Sequence, residues 1–452
     1  MTKLSTRVFK HIKRPILCLL LLCLVCFLTR QVPFAARAEI YDVVILRGRV
    51  IDPESGLDAT RNIGVSGGKI KNITASQLRG RTTIDARGLI VSPGFIDLHQ
   101  HGQDQENYLF KAMDGVTTAL ELEVGTSDVD RWYAEREGRA QINYGVSVGH
   151  LPARMTVMRD PGTFLPRGDA ARLPASDEQI AAMKTLIEKG LRRGALGVGF
   201  GIQYIPPASH WEILEMFRAA AQFKAACFVH MRNAGTKEPA SSIQALQEVI
   251  SASAVTGAPL HVVHIQSTGG PATPKLLTII GEARSQGLDV TTECYPYVAG
   301  MTDIKSAIFD EGWQEIFNIS YQDLQWAATG ERLTKESFER YRKTGGYIAI
   351  FSNTDAIVNQ AITSPLTIIA SDGILENGKG HPRTAGTYTR VLGHYVREKK
   401  TLTLMEALRK MTIMPARRLE RRVPAMKNKG RIRLGADADL AIFDAERVTD
   451  KS

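Results

Sequence analysis

The sequence predicts an α/β chain: a (β/α)8 TIM-like barrel flanked by a small β-sandwich built from both chain ends. Three observations carry this. Residues 93–425 alternate short apolar runs with amphipathic helical ones, the pattern of a parallel sheet that closes on itself. Residues 39–92 are dense in Val, Ile and Thr and broken by Gly or Asp-Pro, and "GRIRLGADADLAIFD" within 426–452 returns to that texture. His and carboxylate residues recur where the strands of the barrel should end.

Residues 1–38 stand apart. Lys3, Arg7, Lys10, Lys13 and Arg14 precede an apolar run from Ile16 to Leu28, and Ala36-Arg37-Ala38 offers small residues where a signal peptidase reads. The run is short for a membrane span. Export to the periplasm or exterior with cleavage after Ala38 is expected, the alternative being an uncleaved membrane anchor. The leader also holds seven Lys or Arg and no acid, so it accounts for most of the net charge of +10. That charge is therefore no sign of a nucleic-acid partner. Cys18, Cys23 and Cys26 leave with the leader, and Cys227 and Cys294 are expected as buried thiols.

The remaining elements follow in order. "YDVVILRGRVID", "NIGVSGGKIKNI" and "TTIDARGLIVSPG" read as sandwich strands. "PGFIDLH", "GVTTALELEVG", "YGVSVGH", "ALGVGFG", "ACFVHMR", "PLHVVHIQ", "DVTTECYPY" and "TIIASDG" read as the barrel strands. Between them lie helical stretches such as "DVDRWYAEREGRAQ" and "SDEQIAAMKTLIEKGLRRG", the second with a Ser/Asp cap. "TLMEALRKMTIMPARRL" reads as a closing helix, and 303–346 has no regular pattern.

The chemistry begins at "DLHQH". A strand sends alternate side chains to one face, so His99 and His101 point the same way and can share one metal ion. His230, His264 and Asp372 end three later strands, and Glu121 and Glu123 share a face of the second. Barrel strand ends meet at one mouth. Four histidines with carboxylates there describe a metal site with nitrogen and oxygen ligands.

These residues carry a family resemblance. "PGFIDLHQH", "GALGVGFGIQYIPP", "FVHMRNAG", "HVVHIQSTGG", "YPYVAGMT" and "SDG…GHPRTAGTYTRVLGHYVREKKTLTLMEALRKMT" resemble the amidohydrolase superfamily, in its N-acyl-D-amino-acid deacylase (D-aminoacylase) branch, from about residue 40 onward. The resemblance implies one or two zinc ions or other divalent metals, with His99 and His101 on one and His230 and His264 on the other. It implies Asp372 as metal ligand and general acid/base, and Arg383 as the group that binds a substrate carboxylate. The implied reaction is hydrolysis of a linear amide by a metal-activated hydroxide, on a small-molecule substrate with an N-acyl group and a carboxylate. Hydrolysis of a cyclic amide or lactone, and a barrel that binds without turnover, are the alternatives.

Three departures stand out. Val124 falls where the family places a metal-bridging Cys, so Glu123, or else Glu121, is expected to bridge. Gln266 replaces a substrate-binding Lys. The sequence closes soon after "LAIFD", where relatives continue with further sandwich strands, so a smaller sandwich or a truncated sequence is expected. Tyr204, Tyr295 and Tyr297 either face substrate or pack in the core. His150 either lines the site or is structural, and Arg232 either reaches substrate or pairs with a nearby acid. His11, His210, His261 and His394 are read as non-catalytic.

Overall fold

The computed structural model describes residues 39–451. The leader, with its three cysteines and His11, lies outside them. Strands β1 (Ile40–Asp52), β2 (Leu57–Ser66), β3 (Lys69–Thr74), β4 (Arg79–Asp85) and β5 (Ile90–Pro93) form the small domain with one strand from the far end of the chain, Leu440–Phe443. The six strands make one hydrogen-bonded sheet, in which Leu440–Phe443 runs antiparallel to β5. β4 and β5 take successive halves of one edge of β1, on either side of a bulge near Arg47. Gly67 and Gly68, both at positive φ, turn β2 into β3, as a two-residue hairpin requires. Val50, Ile63, Ile70, Val91 and Ile432 fill the core behind this sheet.

The barrel strands are β6 (Phe95–Asp97), β7 (Val116–Thr126), β8 (Asn143–Gly149), β9 (Gly197–Gly201), β10 (Ala226–His230), β11 (Leu260–Val262), β12 (Val290–Cys294) and, after an insertion, Thr367–Ile369. They pair in parallel and in chain order. The ring closes where the Asp372 N–H donates to His99 O (2.7 Å) and the His101 N–H donates to Gly373 O (2.9 Å). Asp97 is the latch. One of its oxygens accepts the N–H groups of His99 (3.2 Å) and Ser371 (3.0 Å), and the other takes the Ser371 hydroxyl (2.5 Å) and faces Lys111 Nζ (3.0 Å). Asp97 and Lys111 are both fully buried, and losing one partner of such a pair costs about 3–5 kcal/mol.

Helices pack outside the ring. Asp177–Arg192 opens with a capping box between Ser176 and Gln179 and turns Ile180, Met183 and Ile187 inward. Two expected helices differ from the sequence reading. The one starting at Val129 stops at Ala134. The closing helix is two, Leu404–Met411 and Ile413–Leu419, because Pro415 has no N–H and its ring excludes a helical carbonyl at Met411. The irregular stretch holds helices Trp313–Phe317 and Lys335–Thr344 and strand β14 (Leu324–Trp326), and a small sheet at the barrel mouth brackets it: β13 (Gly300–Asp303) and β14 flank β15 (Tyr347–Ile350). Cys227 and Cys294 are buried and free. Among the described residues no helix is long and apolar enough to cross a membrane.

Candidate metal centre

The centre is built around one irregularity in β7. Its ladder with β8 slips from Glu121↔Val146 to Thr126↔Val148, so β7 carries extra residues just below the mouth. Such a bulge re-aims side chains, here Glu121 and Glu123, into the lumen. The bulged backbone crowds its neighbours: a Cβ at Gly149 would lie 1.8 Å from Val124 O, and one at Gly199 2.2 Å from Glu123 O. Glycines at the end of β8 and in the middle of β9 are what let β7 bulge inward.

The Glu123 carboxylate sits between two histidine pairs. Oε2 lies 2.5 Å from His99 Nε2 and 3.3 Å from His101 Nε2. Oε1 lies 2.8 Å from His230 Nδ1 and 4.0 Å from His264 Nε2. Asp372 Oδ1 joins the first pair, 3.5 Å from His99 Nε2 and 3.3 Å from His101 Nε2. His264 and Asp372 both hold positive φ, which His and Asp tolerate better than most residues and which marks strain at a functional position.

Behind these atoms is an outer layer. Glu121 Oε2 lies 2.7 Å from His101 Nδ1, while its Oε1 accepts the N–H groups of Val124 and Gly125. Glu293 Oε1 lies 2.6 Å from His99 Nδ1, and its Oε2 lies 2.9 Å from His261 Nε2. Burial alone would raise the Glu293 carboxyl, but His99 and His261 hold it down at about 2. Burial lowers His264 to about 4, and nearby His230 acts in the same direction, leaving the neutral ring that ligates metal.

A cavity opens at the mouth. His101, Glu123, His230, His264 and Asp372 line it, with Gln203, Tyr204, Ser267 and Thr268 beside them. Phe164, Leu165, Met301, Ile308, Phe317, Ile350 and Ile374 make an apolar wall, much of it from the inserted sheet and its connections. Arg383, 1% exposed, has Nη1 2.9 Å from Asp372 Oδ2. Its guanidinium stacks on Tyr295, 4.7 Å from the ring centre.

Not every residue expected at the site is there. Tyr204 is, with its hydroxyl 3.2 Å from Thr302 Oγ1. Tyr297 instead lines a neighbouring cavity with His381 and Trp326. His150 is directed away: its Nε2 meets Glu212 Oε1 (2.7 Å), which Arg154 also holds. Arg232 forks onto Glu248 (2.9 and 2.7 Å), an acid within a helix. In both cases a buried or half-buried carboxylate captures the side chain. Gln266 donates to Tyr295 O and does not line the cavity. Sequence reasoning missed Glu293, Gln203 and Tyr347, and set aside His261, although Glu293 stands in the strand segment "VTTEC" on alternation with Thr291.

A family model described as "Amidohydrolase family" matches residues 82–145 and 155–451. The chain belongs to the amidohydrolase family. It is 30% identical to a D-aminoacylase of Alcaligenes xylosoxydans xylosoxydans, over 91% of this chain and 89% of that protein. It is 29% identical to an N-acyl-D-glutamate deacylase of the same organism, over 92% and 89%. Its fold matches the crystal structure of N-acyl-D-glutamate deacylase from Bordetella bronchiseptica, complexed with zinc and a phosphonate mimic of the tetrahedral intermediate. There the TM-score is 0.78 at 26% identity, covering 92% of each chain.

The residues present fit the metal that this family implies. His99, His101, Glu123 and Asp372 bring their donor atoms within 4.8 Å of one another, and so do Glu123, His230 and His264. Val124 lines the cavity without a donor, and the neighbouring Glu123 carboxylate stands between the two groups. Imidazole and carboxylate are the donors that divalent zinc takes.

Proposed function

We propose that this amidohydrolase cleaves the linear amide of an N-acyl amino acid, with an N-acyl-D-amino acid as its substrate class, using one or two divalent ions such as zinc. The observation that carries the reading is the Glu123 carboxylate set between two histidine pairs, at the floor of a cavity beside Asp372 and Arg383. His99, His101 and Asp372 would hold one ion, His230 and His264 the other, and Glu123 would serve both. Such ions polarise an amide carbonyl and make water acidic near neutral pH.

The chain's own groups supply the rest. Asp372 faces the cavity and takes the proton released as water adds to the carbonyl, then delivers it to the amide nitrogen. An amine leaves poorly without that proton. Arg383 is buried, with Nη1 in an ion pair with Asp372 (2.9 Å) and Nε without a hydrogen-bond partner, and a substrate carboxylate would complete its planar fork. Tyr204 presents its hydroxyl to the same cavity.

The wall also selects. Apart from Arg383 behind Asp372, which the substrate's own carboxylate would take, no Lys or Arg among the described residues stands at the cavity wall, and the carboxylate of Asp303 is paired with Arg167 (2.7 Å). Apolar substituents suit this wall, whereas an acidic one would be buried without a cation, at a cost near 3 kcal/mol or about 10²-fold. The test is zinc analysis of the purified full chain, with a panel of N-acetyl-D- and N-acetyl-L-amino acids. Bound zinc and release of apolar D-amino acids, about 10²-fold faster than D-glutamate, are expected. A metal-free protein that releases no amino acid would refute the reading.

Export follows from the leader's composition alone. The exported chain should begin at Glu39, as N-terminal sequencing would show. Intact chains starting at Met1 in the membrane fraction would support an anchor instead.

A further inference from the structure

Arg383 opens the helix Arg383–Arg390, and the first N–H groups of a helix have no carbonyl partner inside it. Thr384 N–H donates to His381 O (3.1 Å), and the N–H groups of Ala385 and Gly386 donate to Pro382 O (3.0 and 3.1 Å). The Arg383 N–H goes instead to a side chain, the Nδ1 of His381 (3.0 Å). A backbone N–H can only donate, so this Nδ1 carries no proton and the ring is neutral. Burial and then the Arg383 charge favour that form, holding His381 well below the usual histidine range.

We propose that His381 positions Arg383 for the substrate carboxylate, by fixing the first helical residue and with it the direction in which the guanidinium leaves the chain. This rests on the carboxylate role given to Arg383 above. The ring is 6% exposed and held from several sides. It hydrogen-bonds the Ala299 backbone and meets Tyr297 edge-on, with 5.3 Å between ring centres. Ala299 leads into β13, where the Met301 carbonyl accepts Arg383 Nη2 (3.3 Å). His381 and Arg383 thus grip one stretch of chain at the inserted sheet. The far end of the helix is pinned separately, where Asp114 accepts the N–H groups of Tyr388 (2.9 Å) and Thr389 (2.8 Å). With that end anchored, the first turn sets Arg383. A guanidinium fork must meet a carboxylate in its own plane, and a misplacement of about 1 Å can cost about 10²-fold. His381 lines the neighbouring cavity with Tyr297 and not the catalytic one, so it is a positioning residue that acts through Arg383.

The test replaces His381 in the zinc-loaded full chain and compares an acid with its neutral counterpart. N-acetyl-D-leucine gives KM and kcat. N-acetyl-D-leucinamide, which has no carboxylate, is added as a competitor, and its competition constant is defined whether or not it is cleaved. His381→Asn can put an amide oxygen where Nδ1 stood. His381→Gln carries its amide toward the Nε2 end and leaves the Arg383 N–H without an acceptor. His381→Gln should raise KM for the acid about tenfold and move the constant of the carboxamide less than about twofold, whereas His381→Asn should stay within about threefold of wild type on both. A merely structural role would weaken both ligands alike, and that result would overturn the proposal. So would an unchanged KM in His381→Gln, or a loss in His381→Asn as large as in His381→Gln. Should His381→Gln fail to fold by circular dichroism, His381→Phe, a ring without an acceptor, decides in its place. Arg383→Ala checks the role beneath the proposal: wild type should hold the acid at least about tenfold tighter than the carboxamide, and Arg383→Ala should erase that preference. A preference that survives Arg383→Ala would bring down the carboxylate role itself, and the proposal with it.

Discussion

Glu123→Gln is expected to release zinc from at least one position and to cut kcat by about 10³-fold or more, since Glu123 is the one side chain among the described residues that belongs to both donor groups. In the structure its two oxygens divide the work: Oε2 faces His99 and His101, and Oε1 faces His230 and His264. An amide keeps the size but offers one neutral oxygen, so it cannot satisfy both sides. Glu123→Asp retains the charge and withdraws it by about one methylene, a displacement that costs about 10²-fold in a positioned site. Glu121→Gln serves as the comparison. Of the four histidines Glu121 meets only the outer nitrogen of His101, so its loss should weaken binding about 10–100-fold without removing a ligand. The measurements are zinc per chain and steady-state turnover on the same preparations. Two bound zinc ions with normal kcat in Glu123→Gln would remove this residue from the centre.

Asp372→Asn should lower kcat on amides by about 10²–10⁴-fold, the usual contribution of a positioned acid/base. Asn cannot accept the proton or return it to nitrogen. His99, His101 and Glu123 remain as donors, so zinc should be largely retained, and this separates proton transfer from metal loss. A second substrate sharpens the distinction. A nitrophenyl ester has a leaving group that departs without protonation, so the variant should lose far less activity on the ester than on the amide. Equal losses on both substrates would assign Asp372 to metal binding alone. Wild-type amide turnover would exclude it from the reaction.

The sequence by itself determined the ring. The eight apolar runs from "PGFIDLH" to "TIIASDG" are the eight strands, in that order, and the histidines stand at their ends. This was legible because strand alternation and helix periodicity are local: each run declares its own face without knowing its neighbours. His99, His101, His230, His264 and Asp372 needed only that rule and the geometry of a barrel mouth.

The tertiary structure alone decided what depends on neighbours. Strand alternation puts Glu121 and Glu123 on one face, and the sequence prefers Glu123 only for standing nearer the mouth. The bulge in β7, admitted by Gly149 and Gly199, sets Glu123 between the histidines and Glu121 behind them. Glu293 reaches His99 across 194 positions of sequence, because barrel closure brings distant strands to one lumen. His150 and Arg232 sit near the right strand ends, yet Glu212 and Glu248 from flanking helices take them. The inserted sheet that walls the cavity left no periodic trace, since its strands are three or four residues long. A side chain's face is written in its own segment, whereas its partner is fixed only when segments meet.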